Sequence, residues 1–166
     1  MPEIDVLPRP LPDEAADIIA INHLAVWYSD AVSRGEIDQA VLAYATDGIL
    51  RSGTTADAVG REAIASLIKT TTSTLEFVFQ TAHMGLVQVN GDTARARVQI
   101  TEWARRSSDG GGLQFLGWYE DELRRGSDGW RYSSRTLVGR TLGRPTAFTG
   151  RIVPVALRAF PMDAAE

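Results

Sequence analysis

The sequence predicts an α+β fold in which three helices come first and an antiparallel sheet follows. Three observations carry this reading. Apolar residues recur at spacings of three and four through the first seventy residues, the signature of amphipathic helices. After Leu75 the pattern changes to alternation, with Ala94, Ala96, Val98 and Ile100 on one side and Arg95, Arg97, Gln99 and Thr101 on the other, the period of a half-buried strand. Between two such strands lies Asn90-Gly91-Asp92, a strong hairpin signal because both central residues of a type I′ turn take positive φ. Helices grouped ahead of strands argue for segregated layers and against alternating βαβ units.

Taken in order, residues 1–12 carry Pro2, Pro8, Pro10 and Pro12 and read as an irregular arm. A first helix starts at Asp13, with Ile18, Ile21, Leu24, Ala25, Tyr28 and Val32 along one stripe. Asp13 and Glu14 suit the positive end of its dipole, and Gly35 is a natural C′ residue. A second helix is expected from Ile37 to Thr46, closed by Asp47-Gly48, then a short strand Ile49–Ser52 and a loop to Ala58. A third helix covers Arg61–Thr70 with Ile64, Leu67 and Ile68 inward, and the Thr71–Thr74 cluster breaks it. The hairpin then pairs Phe77–Val89 with Thr93–Trp103. A glycine-rich loop, 105–112, leads to a strand Leu113–Arg124, a tight turn at 125–129 and a partner strand Trp130–Val138. The domain thus spans 13–138. Residues 139–166 form an extension whose apolar segment Ile152–Phe160 is expected to pack on the sheet or on a partner chain.

The chain has 166 residues, enough for one domain with a proper core and short for two. A net charge of −4 with scattered arginines argues against a nucleic-acid footprint, which needs a basic stripe. With no cysteine there is no disulfide, thiolate metal site or Cys nucleophile, which suits a reducing compartment. No signal-peptide pattern and no apolar run of membrane-spanning length occur, so the expected location is cytoplasmic, with no membrane partner. The two histidines are sixty residues apart without H-x-x-x-H or H-E-x-x-H spacing, so no metal site is expected. The glycines at 110–112 lack the spacing of a dinucleotide fingerprint, there is no G-x-S-x-G elbow, and no cofactor is expected.

Several segments together resemble the SnoaL-like branch of the nuclear-transport-factor-like superfamily, which includes scytalone dehydratase. They are Ile21–Tyr28 followed by Arg34-Gly35-Glu36; Tyr44-Ala45-Thr46-Asp47-Gly48; Gly60-Arg61-Glu62-Ala63-Ile64; His83 ahead of Asn90-Gly91-Asp92-Thr93-Ala94; Gly117-Trp118-Tyr119-Glu120-Asp121; and Asp128-Gly129-Trp130-Arg131 leading to Arg135. The resemblance covers residues 15–138. It implies a cone-shaped barrel: a curved antiparallel sheet around an apolar pocket, closed by the three helices, with many relatives dimeric through the sheet. The superfamily holds dehydratases, cyclases, isomerases, oxygenase small subunits and binding proteins, so fold alone does not settle function.

In the dehydratase-like relatives a strand histidine acts as general base beside a tyrosine of the first helix, and His83 and Tyr28 match those positions. An imidazole titrating near neutrality can take a proton α to a carbonyl and return it. A tyrosine hydroxyl can hydrogen-bond the oxygen as enolate charge develops. The alternative for His83 is a strand histidine bonded to a backbone carbonyl, and for Tyr28 a packed ring with an anchored hydroxyl. The relatives carry an aspartate five residues after the tyrosine where this chain has Ser33, which can orient a ring but cannot stabilise an imidazolium by charge. Asp30 is about 200° around the helix from Tyr28 and faces away; His23, about 140° away, is read as non-catalytic. Asp47 can supply a carboxylate, or be a helix-terminal turn residue. Gly117, Tyr119, Asp121 and Leu123 share a face, which makes Tyr119 a candidate pocket residue; Trp103 is another. Arg135 can reach an anionic group, or be a surface ion-pair partner.

The first functional expectation is a small lyase or isomerase acting on an apolar cyclic carbonyl substrate, with His83 as base and Tyr28 as oxyanion donor. Ser33, Trp103, Tyr119, Asp47 and Arg135 would contact the substrate. The second is a non-catalytic small-molecule-binding protein of the same fold. The third is a structural partner like the small subunits of ring-hydroxylating oxygenases, disfavoured by a tail suited to a homodimer.

Overall fold

The structure, a computed structural model, describes residues 11–143. Most of the expected proline arm and the apolar segment Ile152–Phe160 lie outside the described residues. A 3-10 turn, Pro12–Glu14, opens into helix α1, Ala15–Ser33, whose buried residues include Ile21, Ala25, Tyr28, Ser29 and Val32. The helix ends as the sequence predicts, at Gly35 with φ +77°. Glu36 N donates to Ala31 O at 2.9 Å and Gly35 N to Val32 O at 3.0 Å, the two bonds of a Schellman motif, which satisfy carbonyls the helix leaves open.

Helix α2 is shorter than expected. It covers Ile37–Ala40, continues as a 3-10 turn Val41–Ala43, and gives way to strand β1, Tyr44–Arg51. The reason is tertiary: Tyr44 pairs with Tyr132 on the last strand. Gly48 lets the two strands close up, since a Cβ there would lie 2.9 Å from the Tyr132 carbonyl oxygen. Strand partners override the local helical preference. A short strand β2, Ala58–Val59, and helix α3, Arg61–Thr72, follow, then β3 (Leu75–Ala82), β4 (Leu86–Asn90), β5 (Thr93–Arg106), β6 (Gly112–Gly126) and β7 (Gly129–Gly143). The last strand runs five residues past the expected end at Val138.

These strands form one sheet in the order β2-β1-β7-β6-β5-β3, with β4 also on β5. The β1–β7 pair is parallel, so the sheet is mixed, and β2 and β3 are separate edges of an open curved sheet instead of a closed barrel. The expected strand Phe77–Val89 is two strands: β3 pairs with one half of β5 and β4 with the other. They are separated at His83-Met84-Gly85, where Gly85 N donates to Asn22 Oδ1 of α1 at 2.6 Å. A Cβ on Gly85 would stand 2.7 Å from Val98 Cγ2. The β4–β5 hairpin pairs Asn90 with Thr93, which makes Gly91 and Asp92 its central residues. Only Gly91 has positive φ, the pattern of a type II′ turn and not type I′.

Two irregularities interrupt the β6–β7 ladder. The one at Ser133 matters most. Glu122 pairs with Ser134 and Leu123 with Tyr132, so Ser133 is an extra residue that resets which side chains face inward. The inner face, covered by α1 and its neighbours, carries one hydrophobic core built on Ile21, Tyr28, Tyr44, Ile64, Val98, Leu123 and Tyr132. Among the described residues no helix is long and apolar enough to cross a membrane.

Candidate functional site

The inner face of the sheet is not purely apolar. Ser29, Gln80, Asp121 and Arg135 are buried there, and Arg135 is 0 % exposed. The Ser133 bulge puts Arg135 on the same face as Tyr132 and opposite Asp121 in the register. Arg135 Nε and Nη2 each bond an Asp121 carboxylate oxygen at 2.7 Å, the bidentate fork that suits arginine. Its guanidinium carbon lies 3.8 Å from the Tyr132 ring centre, 3.9 Å from Tyr119 and 4.6 Å from Tyr28. Burial raises the Asp121 carboxyl above its ordinary value, and the charge and hydrogen bonds of Arg135 oppose that rise. Three aromatic faces supply further negative potential to the cation.

Tyr28 stands at the centre of an aromatic cluster. The rings of Tyr44, Tyr119 and Tyr132 meet it edge-on, with centroids at 5.9, 6.0 and 6.4 Å. Burial raises its pKa above the ordinary phenol value, while Arg135 and the hydroxyls of Tyr44 and Tyr119 work the other way. The hydroxyl therefore stays protonated and can donate.

Beside this cluster a second polar group is built from α1, β3 and β5. Gln80 Nε2 donates to Glu102 Oε2 and to the Tyr119 hydroxyl, both at 3.0 Å. Gln80 Oε1 accepts from Ser29 Oγ at 3.0 Å. Ser33 Oγ donates to the Ser29 carbonyl at 2.7 Å and accepts from Gln80 N at 2.9 Å, tying the helix to the strand. Glu102 is half-buried, and burial pushes its carboxyl above the ordinary carboxylate range, with the Gln80 amide lowering it in part.

The structure brings together some of the residues singled out in the sequence and separates others. Tyr28, Tyr119 and Ser33 lie around the inner polar groups, Ser33 as a strut between backbone atoms. His83 does not join them. It is exposed in the break between β3 and β4, its backbone N bonding Gln99 O at 3.0 Å and its Nε2 3.3 Å from Thr101 Oγ1. Thr101 has the outward parity of β5 and His83 is exposed, so the expected base is corrected to an outer-face residue. Trp103 shares that outward parity, paired with Phe79, and is not on the inner face. Asp47 is exposed on β1 and bonds Arg124, with its carboxyl held below the ordinary range mainly by that arginine; it is a surface ion-pair partner. Arg135, expected to reach an anion, is occupied by Asp121. His23 is exposed on α1.

Gln80, Glu102 and Asp121 were missed as site residues. For Glu102 the signal was present: it continues the series Ala94, Ala96, Val98, Ile100, so alternation alone puts a carboxylate on the apolar side of β5. Gln80 had no such signal, because the break at Gly85 hides the phase of β3.

A small open cone with a polar group inside its apolar core is thus the class that fold and site define. The chain belongs to the SnoaL-like domain family, whose model matches residues 13–136. No curated protein matches the sequence. Among solved structures, the chain is similar to a hexachlorocyclohexane dehydrochlorinase from Novosphingobium barchaimii (13 % identity, TM-score 0.75, covering 86 % of this chain and 98 % of that one). It is also similar to a scytalone dehydratase candidate from Novosphingobium aromaticivorans (16 %, 0.73, 94 % and 100 %) and to a ketosteroid isomerase-like protein from Erwinia carotovora (20 %, 0.67, 79 % and 99 %). At these identities the likeness shows the fold.

Proposed function

We propose that this protein is a small cofactor-independent lyase or isomerase that moves a proton on an apolar, cyclic carbonyl compound bound against the inner face of the sheet. The observation that supports it is Tyr28. A buried phenol kept in its protonated form, at the junction of helix α1 and the sheet, is a ready donor to an oxygen that gains charge as an enolate forms. The names of the three similar structures, a dehydrochlorinase, a dehydratase candidate and an isomerase-like protein, describe reactions compatible with proton removal from carbon. Tyr28→Phe keeps the ring and removes the donor. It should lower turnover of such a ketone by about 10²–10³-fold with little change in melting temperature; undiminished turnover would remove Tyr28 from the reaction.

A second reading, a non-catalytic binding protein, draws on the neutral pair Ser33 and Gln80 where helix and strand meet. It is separated from the first by a ligand that raises the melting temperature while no product or isotope exchange accompanies binding.

A further inference from the structure

We propose that Glu102 is the catalytic proton carrier of this interior and that Gln80 is the residue that positions it. The proposal rests on the proton-transfer reading above and supplies the base that His83, on the outer face, does not. Three geometric features carry it. First, β5 aims Glu102 inward, opposite Gln80 on β3 and Phe115 on β6. Second, the Gln80 amide is held in one orientation. Ser29 donates to its oxygen while its nitrogen serves Glu102 and Tyr119, and a flip would set the amide oxygen against the carboxylate. Third, Gln80 and Ser29 are 6 % and 3 % exposed, whereas Glu102 is half-buried. The carboxylate is the acidic group of this network and is only partly buried, and among the described residues it makes no ion pair that would lock its charge.

The neighbour of Glu102 on β6 is an aromatic ring. Phe115 lies next to Glu102 across the β5–β6 ladder and covers Gly117 and Gly139, where an added Cβ would meet the phenyl ring at 2.7 and 3.3 Å. The groups facing Glu102 are neutral: Gln80 from β3, Tyr119 from β6 and Tyr28 from α1, while the Arg135 charge is balanced by Asp121. Burial without a cation favours the protonated carboxyl, which moves the group toward the pH where one residue both accepts and returns a proton.

In the first step a Glu102 carboxylate oxygen takes the α-proton. The C–H bond breaks, its electron pair forms the C=C bond, and the carbonyl π electrons move to oxygen, which accepts a hydrogen bond from the Tyr28 hydroxyl. In the second step the Glu102 carboxyl gives the proton back, to the γ-carbon of an enone in an isomerisation or to a departing β-hydroxyl, released as water, in a dehydration. In heavy water the carboxyl exchanges its proton with solvent and returns a deuteron to the α-carbon.

That exchange is the test. Cyclohexanone, cyclohexenone and tetralone are incubated in heavy water with wild type, Glu102→Gln, Glu102→Asp, Gln80→Leu and His83→Ala, and α-deuteration is followed by proton NMR against buffer. Wild type and His83→Ala should exchange above buffer at equal rates. Glu102→Gln should lose about 10²–10⁴-fold. Glu102→Asp, which keeps a carboxylate but draws it back by one methylene, should retain part of the rate with an unchanged circular dichroism spectrum. Gln80→Leu should move the half-maximal rate to higher pH, because the donor that favours the carboxylate is gone; a merely structural Gln80 would leave that midpoint in place. Full exchange by Glu102→Gln overturns the assignment while leaving the proton-transfer reading intact. Wild type no faster than buffer on every ketone overturns both.

Discussion

Asp121 and Glu102 are two inward-facing carboxylates on adjacent strands of one sheet, and they differ in what faces them. Asp121 meets a guanidinium through two bonds of 2.7 Å inside a cage of tyrosine rings. Glu102 meets an amide and is only partly buried. A buried charge with a cation is locked as an ion pair and serves the fold; breaking it leaves an uncompensated charge. A carboxylate with only neutral partners lies closer to its protonated form and can change state without dismantling the core. The comparison teaches that burial alone does not set a carboxylate's role, since the more deeply buried of the two is the one held in an ion pair.

The comparison can be broken at either end. The largest effect is expected from Arg135→Met, which strands Asp121 and should lower unfolding free energy by about 3–5 kcal/mol, read as a fall in the urea midpoint. Adding Asp121→Leu should recover much of that loss, and no recovery would mean that the tyrosine cage, not the ion pair, needs the arginine. A smaller effect, visible only against pH, is expected from Glu102→Gln. The folded-state pKa of Glu102 is raised above its ordinary value of 4.5, so the unfolded chain releases this proton first. The resulting stability is present in acid and lost as pH rises through the folded pKa. Wild type and variant should therefore match well below pH 4.5, and the variant should gain on wild type above it; parallel curves in a pH series of urea melts would show that the carboxyl is unperturbed. The smallest effect belongs to His83→Ala, an exposed position, with a change within about 0.5 kcal/mol by the same measurement.

Much of the fold was legible in the chain. The α1 stripe and its Gly35 stop and the alternation of β5 appear in the structure as read, because each depends on local periodicity or on one backbone conformation. Helix α3 appears with its start at Arg61 but runs through Thr72, two residues into the expected Thr71–Thr74 breaker. The misreadings have a common origin in long-range pairing. Tyr44–Gly48 looked like the end of a helix and is a strand, since β7 offers it a ladder. His83 looked like a residue within a strand facing the interior, but Asn22 of α1 holds Gly85 out of register and splits that strand in two. Arg135 looked like a surface partner or an anion ligand; the extra residue Ser133 turns it inward onto Asp121.

The sequence by itself determined the order of helices and strands, the place of the Gly91 turn, and that a carboxylate at position 102 must point to the apolar side. These follow from periods of two and 3.6 residues, which a chain carries wherever it folds. Only the tertiary structure decided which inward carboxylate received a cation. That outcome depends on a bulge in β7 and on which strand lies beside which, and a polar residue's partners across a sheet leave no trace in its own neighbours along the chain.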